Sequence, residues 1–149
     1  MFIILLNHFC YIAKLKIETT GIIQKMQTIL LIDDDIMEFR LIKNMLEDCF
    51  DTPFALKYAN TLAKGIEMLE TQKVDILLLD DKLNSGLTAV DSVPALRAVS
   101  EDIPFIIISN AIDADYLQNK SILDVYDIVD KYHIRNKIRD GLLAHPVCA

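Results

Sequence analysis

Three short runs of uninterrupted apolar residues divide the chain: Ile29 to Ile32, Ile76 to Leu79 and Phe105 to Ile108. Each is too short for a helix, and two are rich in β-branched residues, so they read as strands. Continuous apolar character, without alternation, suits central strands of a parallel sheet covered on both faces. Phe54 to Tyr58 alternates apolar and polar positions, as at a sheet edge, and Tyr126 to Val129 completes a set of five. Between them the apolar positions change to helical spacing. Ile42, Met45, Leu46 and Cys49 mark one face, Leu62, Ile66 and Leu69 the next, and Val90, Val93 and Leu96 a third. Pro94 falls inside the third, and proline is best tolerated in a first turn, so that helix is expected to begin near Asp91 or Ser92. Asp113 is expected to cap a fourth helix ending near Leu123, and Ile134 to Leu143 forms a fifth. Strand and helix alternate five times, which predicts an α/β domain: a doubly wound parallel sheet with helices on both faces.

The first 25 residues stand apart. Met1 to Ala13 is largely apolar, but it is shorter than the roughly 20 residues a membrane-spanning helix needs. It is a poor signal peptide, because its lysines, Lys14 and Lys16, follow the apolar run. Met26 directly precedes the first strand. Residues 1–25 are therefore expected to be an extension outside the native protein, with a membrane-surface anchor as the rival reading. Residues 26–145 form the domain and 146–149 a tail.

At 149 residues and 52% hydrophobic, the chain has enough apolar content for one sizeable core. Its net charge of −7 and scattered basic residues argue against nucleic-acid binding. Cys10, Cys49 and Cys148 are far apart, odd in number and without a CxxC pair, which argues against a disulfide framework or a zinc site and for a reducing, cytoplasmic setting.

Ligands of such sheets sit beyond the carboxyl ends of the strands. Asp33, Asp34 and Asp35 follow the first strand, Asp80 and Asp81 the third, Ser109 and Asn110 the fourth, and Asp130 and Lys131 the fifth. Helix capping explains one or two such positions, but not acids, a hydroxyl and a lysine together on one edge. Clustered carboxylates repel one another unless a cation joins them. Mg²⁺ prefers oxygen ligands. A carboxylate can act as nucleophile toward phosphorus, with an ammonium and a hydroxyl neutralising phosphoryl oxygens.

With these residues in place, the chain resembles the receiver domain of bacterial response regulators. The resemblance spans about Gln27 to Leu143 and rests on ILLIDDD (29–35), ILLLDDKLNSG (76–86), FIIISNA (105–111) and IVDK (128–131). The spacings agree with the family: 46 positions from Asp34 to Asp80, 29 from there to Ser109 and 22 more to Lys131. The resemblance implies a flavodoxin-like sheet of order 2-1-3-4-5. It implies Asp80 as phosphoacceptor, Asp33, Asp34 and Asp80 around Mg²⁺, Ser109 as switch hydroxyl, Lys131 as phosphoryl partner and Gly86 as turn glycine. Alternation does not choose between Asp80 and Asp81, which lies past the strand; the spacing to Gly86 and Ser109 selects Asp80. The implied partners are a histidine kinase or histidine phosphotransfer protein, which donates the phosphoryl group, and a downstream protein target. No output module is expected after the fifth helix.

Four positions depart from the family pattern. Asn84 replaces the usual loop proline, Asn110 a small residue, Ile128 the aromatic that normally swings inward, and Tyr132 a proline. They bear on the usual switch and leave the residues of the phosphorylation chemistry in place. Two alternatives stay open: a pseudo-receiver acting as a constitutive binding module, and a haloacid-dehalogenase-like phosphatase, which also carries DxD and Ser-Asn after strands. The phosphatase needs an acidic pair after the lysine, and the one acid beyond Lys131 is Asp140. His133 is given no role.

Overall fold

A computed structural model describes residues 24–144. All but two residues of the expected N-terminal extension, and the whole 146–149 tail, lie outside these described residues.

The strands are β1 (Gln27–Ile32), β2 (Phe54–Ala59), β3 (Ile76–Asp80), β4 (Phe105–Ser109) and β5 (Asp127–Asp130). The helices are α1 (Ile36–Cys49), α2 (Leu62–Thr71), α3 (Ala89–Arg97), α4 (Lys120–Leu123) and α5 (Ile134–Arg139), with a 3₁₀ turn at Asp115–Leu117. All pairings are parallel, in the order β2-β1-β3-β4-β5. This is the predicted sheet, and half-buried β2 lies at its edge as the alternation in its sequence indicates.

Side-chain alternation splits each apolar run between two cores. Ile29, Leu31, Ile76, Leu78, Ile106, Ile108 and Val129 face α1 and α5. Leu30, Ile32, Leu77, Leu79, Phe105 and Ile107 face α2, α3 and α4. A run with no polar interruption is thus what a strand covered on both faces requires. Gly65 sets how closely α2 approaches β1, since a Cβ there would fall on the Ile32 side chain.

Three elements differ from the sequence expectation. α3 begins at Ala89, not near Asp91 or Ser92, and keeps Pro94 in its interior. Pro94 removes the N–H that would reach the Val90 carbonyl. The helix start is fixed independently, because the Asp91 carboxylate accepts from the Thr88 N–H at 3.0 Å and the Thr88 hydroxyl at 3.3 Å. Asp113 caps no helix. The 3₁₀ turn and the four-residue α4 replace the expected single helix, because Asn119 Oδ1 accepts from the N–H groups of Ser121 and Ile122 and starts a new one. α5 ends at Arg139; Gly141 turns the chain at φ 100°, and Leu142 and Leu143 then fold back into the core.

At the end of the sheet where β4 and β5 begin, Arg97 fastens the surrounding loops. Its guanidinium donates to the carbonyls of Ser100, Glu101, Ile103 and Asp124 at 3.4, 3.1, 2.8 and 2.8 Å. It also lies 3.6 Å from the centre of the Phe105 ring.

Candidate active site

The parallel sheet brings the ends of β1, β3, β4 and β5 to one edge, and every sequence-selected site residue lies there. Asp33 and Asp80 are buried, at 2% and 7% exposure, while Asp34 is half-buried. Asp35 faces outward and caps α1, accepting the Met37 N–H at 2.8 Å. The local chain folds around Asp33, whose Oδ1 accepts the Asp35 N–H at 2.8 Å. Asp34 Oδ2 reaches across to accept the Asn84 N–H at 2.8 Å. A proline at position 84 would have no hydrogen to give, so this departure adds a tie between β1 and the loop after β3. Gly86, at φ 81°, allows that loop to turn.

Lys131 extends over the cluster from the end of β5. Its Nζ is 3.0 Å from Asp80 Oδ1, 3.5 Å from Asp33 Oδ2 and 3.9 Å from Glu38 Oε1. Glu38, on the first turn of α1, is a neighbour the sequence did not single out. Burial pushes the Asp80 carboxyl up to about 6; the charges of Asp33 and Asp34 add to this, and Lys131 works against it. Burial likewise raises Asp33, opposed by the Asp35 N–H and by Lys131. For Lys131, burial alone would favour the neutral amine, but contact with Asp80 and the charges of Asp33 and Glu38 outweigh it and leave the ammonium strengthened.

One ammonium therefore serves several carboxylates. Asp33, Asp34 and Asp80 each offer an oxygen, and these atoms lie within 4.8 Å of one another. An all-oxygen set with surplus negative charge fits a hard divalent cation such as Mg²⁺. Beside it a cleft of about 160 Å³ is lined by Asp80, Lys82, Ser109, Asn110 and Lys131 among others. At ~30 Å³ per water, that is room for a phosphoryl group with solvent. Asn110 forms part of its exposed rim.

Comparison with known proteins identifies the scaffold. The family profile for the response regulator receiver domain matches residues 29–142. The chain belongs to the response regulator receiver domain family.

Solved structures share the fold. The receiver domain of a sensor histidine kinase from Pseudomonas aeruginosa, solved with magnesium coordinated in its active-site cleft, is 21% identical, covers 83% of this chain and 100% of its own, and superposes with a TM-score of 0.67. The chemotaxis response regulator CheY4 of Vibrio cholerae is 15% identical, covers 79% and 97%, and gives 0.66. A sensor protein from Polaromonas is 24% identical, covers 76% and 90%, and gives 0.64. No curated protein matches the chain by sequence. As the receiver resemblance implies, the sheet order is 2-1-3-4-5.

Ser109 does not point at Asp80. Its hydroxyl donates to Asp81 Oδ2 at 3.2 Å, and its oxygen accepts the Ala111 N–H at 3.0 Å. Asp81 is buried, at 1% exposure, and its Oδ2 also accepts the Tyr116 hydroxyl at 2.6 Å. Burial, then the bond and charge of Asp81, push the Tyr116 phenol up to about 12. Asp81 Oδ1 accepts the Ala89 N–H at the start of α3. Sequence reasoning weighed Asp81 solely as a rival to Asp80 for the phosphoacceptor and did not consider Tyr116. The place of Asp81 directly after a continuous apolar strand was the signal that it is buried rather than solvated; Tyr116, 35 positions further on, gave none. Ile128 packs half-buried against the core, and Tyr126 and Tyr132 are exposed, whereas Tyr116 shares the Asp81 Oδ2 atom with Ser109.

Proposed function

We propose that this receiver domain accepts a phosphoryl group on Asp80 in a Mg²⁺-dependent phosphorelay and passes the signal on by protein–protein contact. The observation that supports this best is the Asp80 carboxylate at the end of a central strand, 3.0 Å from the Lys131 ammonium and grouped with oxygens of Asp33 and Asp34. An Asp80 oxygen attacks phosphorus as the phosphorus–nitrogen bond of a phosphohistidine breaks, and the imidazole nitrogen keeps the bonding pair. Asp33, Asp34 and Asp80 would hold Mg²⁺, which when bound supplies positive charge to the carboxylates and the phosphoryl oxygens. Lys131 orients Asp80 before transfer and neutralises a phosphoryl oxygen after it. Ser109 supplies a hydroxyl to another. The donor is a histidine kinase or histidine phosphotransfer protein, the receiver of the signal is a protein rather than nucleic acid, and the setting is cytoplasmic. The chain catalyses nothing beyond formation and hydrolysis of its own aspartyl phosphate. No helix among the described residues is long and apolar enough to cross a membrane.

The test is intact mass after incubation with acetyl phosphate and Mg²⁺. A phosphate-sized gain, absent in Asp80→Asn and absent without Mg²⁺, is expected. No gain under any condition would favour a pseudo-receiver that binds its partner constitutively.

A further inference from the structure

Asp81 is a nearly inaccessible carboxylate with no lysine, arginine or histidine within ion-pair distance among the described residues. Its charge is met by neutral donors: the Ser109 hydroxyl, the Tyr116 hydroxyl and the Ala89 N–H, at 3.2, 2.6 and 3.3 Å. Each donor comes from a different element: the end of β4, the 3₁₀ turn after it, and the first turn of α3. A hydroxyl has one proton to give. Ser109 gives its proton to Asp81, so it cannot at the same time donate to a phosphoryl oxygen on Asp80.

We propose that Asp81 is a positioning residue that holds the Ser109 hydroxyl in a resting orientation, in competition with the phosphoryl group, and that Tyr116 sets the strength of this hold. The inference rests on the reading of Asp80 as phosphoacceptor. When Ser109 turns to the phosphoryl group, Asp81 loses one of three donors while buried, and a buried acceptor deprived of a partner is destabilised. Tyr116 and the start of α3 must then compensate. The rearrangement therefore passes to the 3₁₀ turn and to α3, and needs no aromatic at position 128. Two substitutions around the same carboxylate act in opposite directions. Asp81→Asn removes the charge that holds the serine proton and frees it. Tyr116→Phe removes a competing donor and leaves Asp81 more dependent on Ser109.

The test is beryllofluoride binding in the presence of Mg²⁺, followed by calorimetry, with this ion as the acyl-phosphate mimic. Relative to wild type, Asp81→Asn is expected to bind roughly tenfold more tightly and Tyr116→Phe severalfold more weakly, as loss or gain of one hydrogen bond to a charged acceptor implies. Both effects are expected to vanish in a Ser109→Ala background. Packing damage would weaken binding in both variants and persist without Ser109; either outcome overturns the proposal. If Asp81→Asn fails to fold by circular dichroism, Tyr116→Phe with and without Ser109→Ala decides alone: a loss that disappears with Ser109 supports the hold, and one that persists refutes it. Wild type that binds no beryllofluoride would overturn the phosphoacceptor reading and this proposal with it. Wild-type binding that is abolished in Asp80→Asn but flat across Asp81 and Tyr116 would overturn this proposal alone.

Discussion

The Asp80 carboxylate is drawn toward its neutral form by burial and by two neighbouring acids, and toward its charged form by Lys131. Its raised value, about 6 against an ordinary 3.8, has a definite sign for stability. Between those values the folded state binds more protons than the unfolded, so stability falls as pH rises. The favourable contribution is complete below the unfolded value and is lost as pH passes through the folded one. In chelator-treated protein, Asp80→Asn should be more stable than wild type at pH 7.5, and the gap should shrink by about 1–2 kcal/mol at pH 5. Urea midpoints at the two pH values measure this; curves that stay parallel would refute it. The candidate site's carboxylates, Ser109 and Lys131 were legible in the sequence because each lies at or just past the end of a strand, and strand ends converge on one edge. The direction of the Ser109 hydroxyl was not, because it is set by Asp81, whose donors Ser109, Tyr116 and Ala89 come from three separate elements that only the folded chain brings together.

Among the elements, the strands were the most legible, since burial on both faces leaves no polar interruption to blur their limits. The helices were less so, because their ends depend on single side chains. Thr88 and Asp91 start α3 ahead of Pro94, and Asn119 interrupts what periodicity reads as one helix. Gly65 gave no sign of its purpose, yet the approach of α2 to β1 depends on it. Gly65→Val should place two methyl groups against the fully buried Ile32 and destabilise the fold by about 2–3 kcal/mol, more than any gain in helix propensity returns. Chemical denaturation checks this. A stability within 0.5 kcal/mol of wild type, about the ordinary range for surface substitutions, would show that α2 can shift without loss.

For the whole molecule, both cores share one sheet, and the carboxylates proposed to hold a cation lie at or just past the ends of two of its central strands, β1 and β3. A cation bound there adds to the stability of the native state by mass action. Mg²⁺ at about 100 times its dissociation constant should add roughly 2.7 kcal/mol, visible as a rise in the thermal midpoint that Asp33→Ala removes. No rise in wild type would argue against the site. Arg97 makes the two ends of the sheet unequal. Its guanidinium gathers four carbonyls where β4 and β5 begin, while Ser109 and Lys131 stand where those strands finish. Arg97→Met should therefore cost about 2–4 kcal/mol in unfolding while leaving the yield of phosphorylation intact. With one end clamped and the other free, any displacement that phosphorylation of Asp80 caused would be taken up in the loops beyond Ser109 and Lys131, and amide exchange should stay slow at Phe105 and Ile106 whichever state the far end adopts.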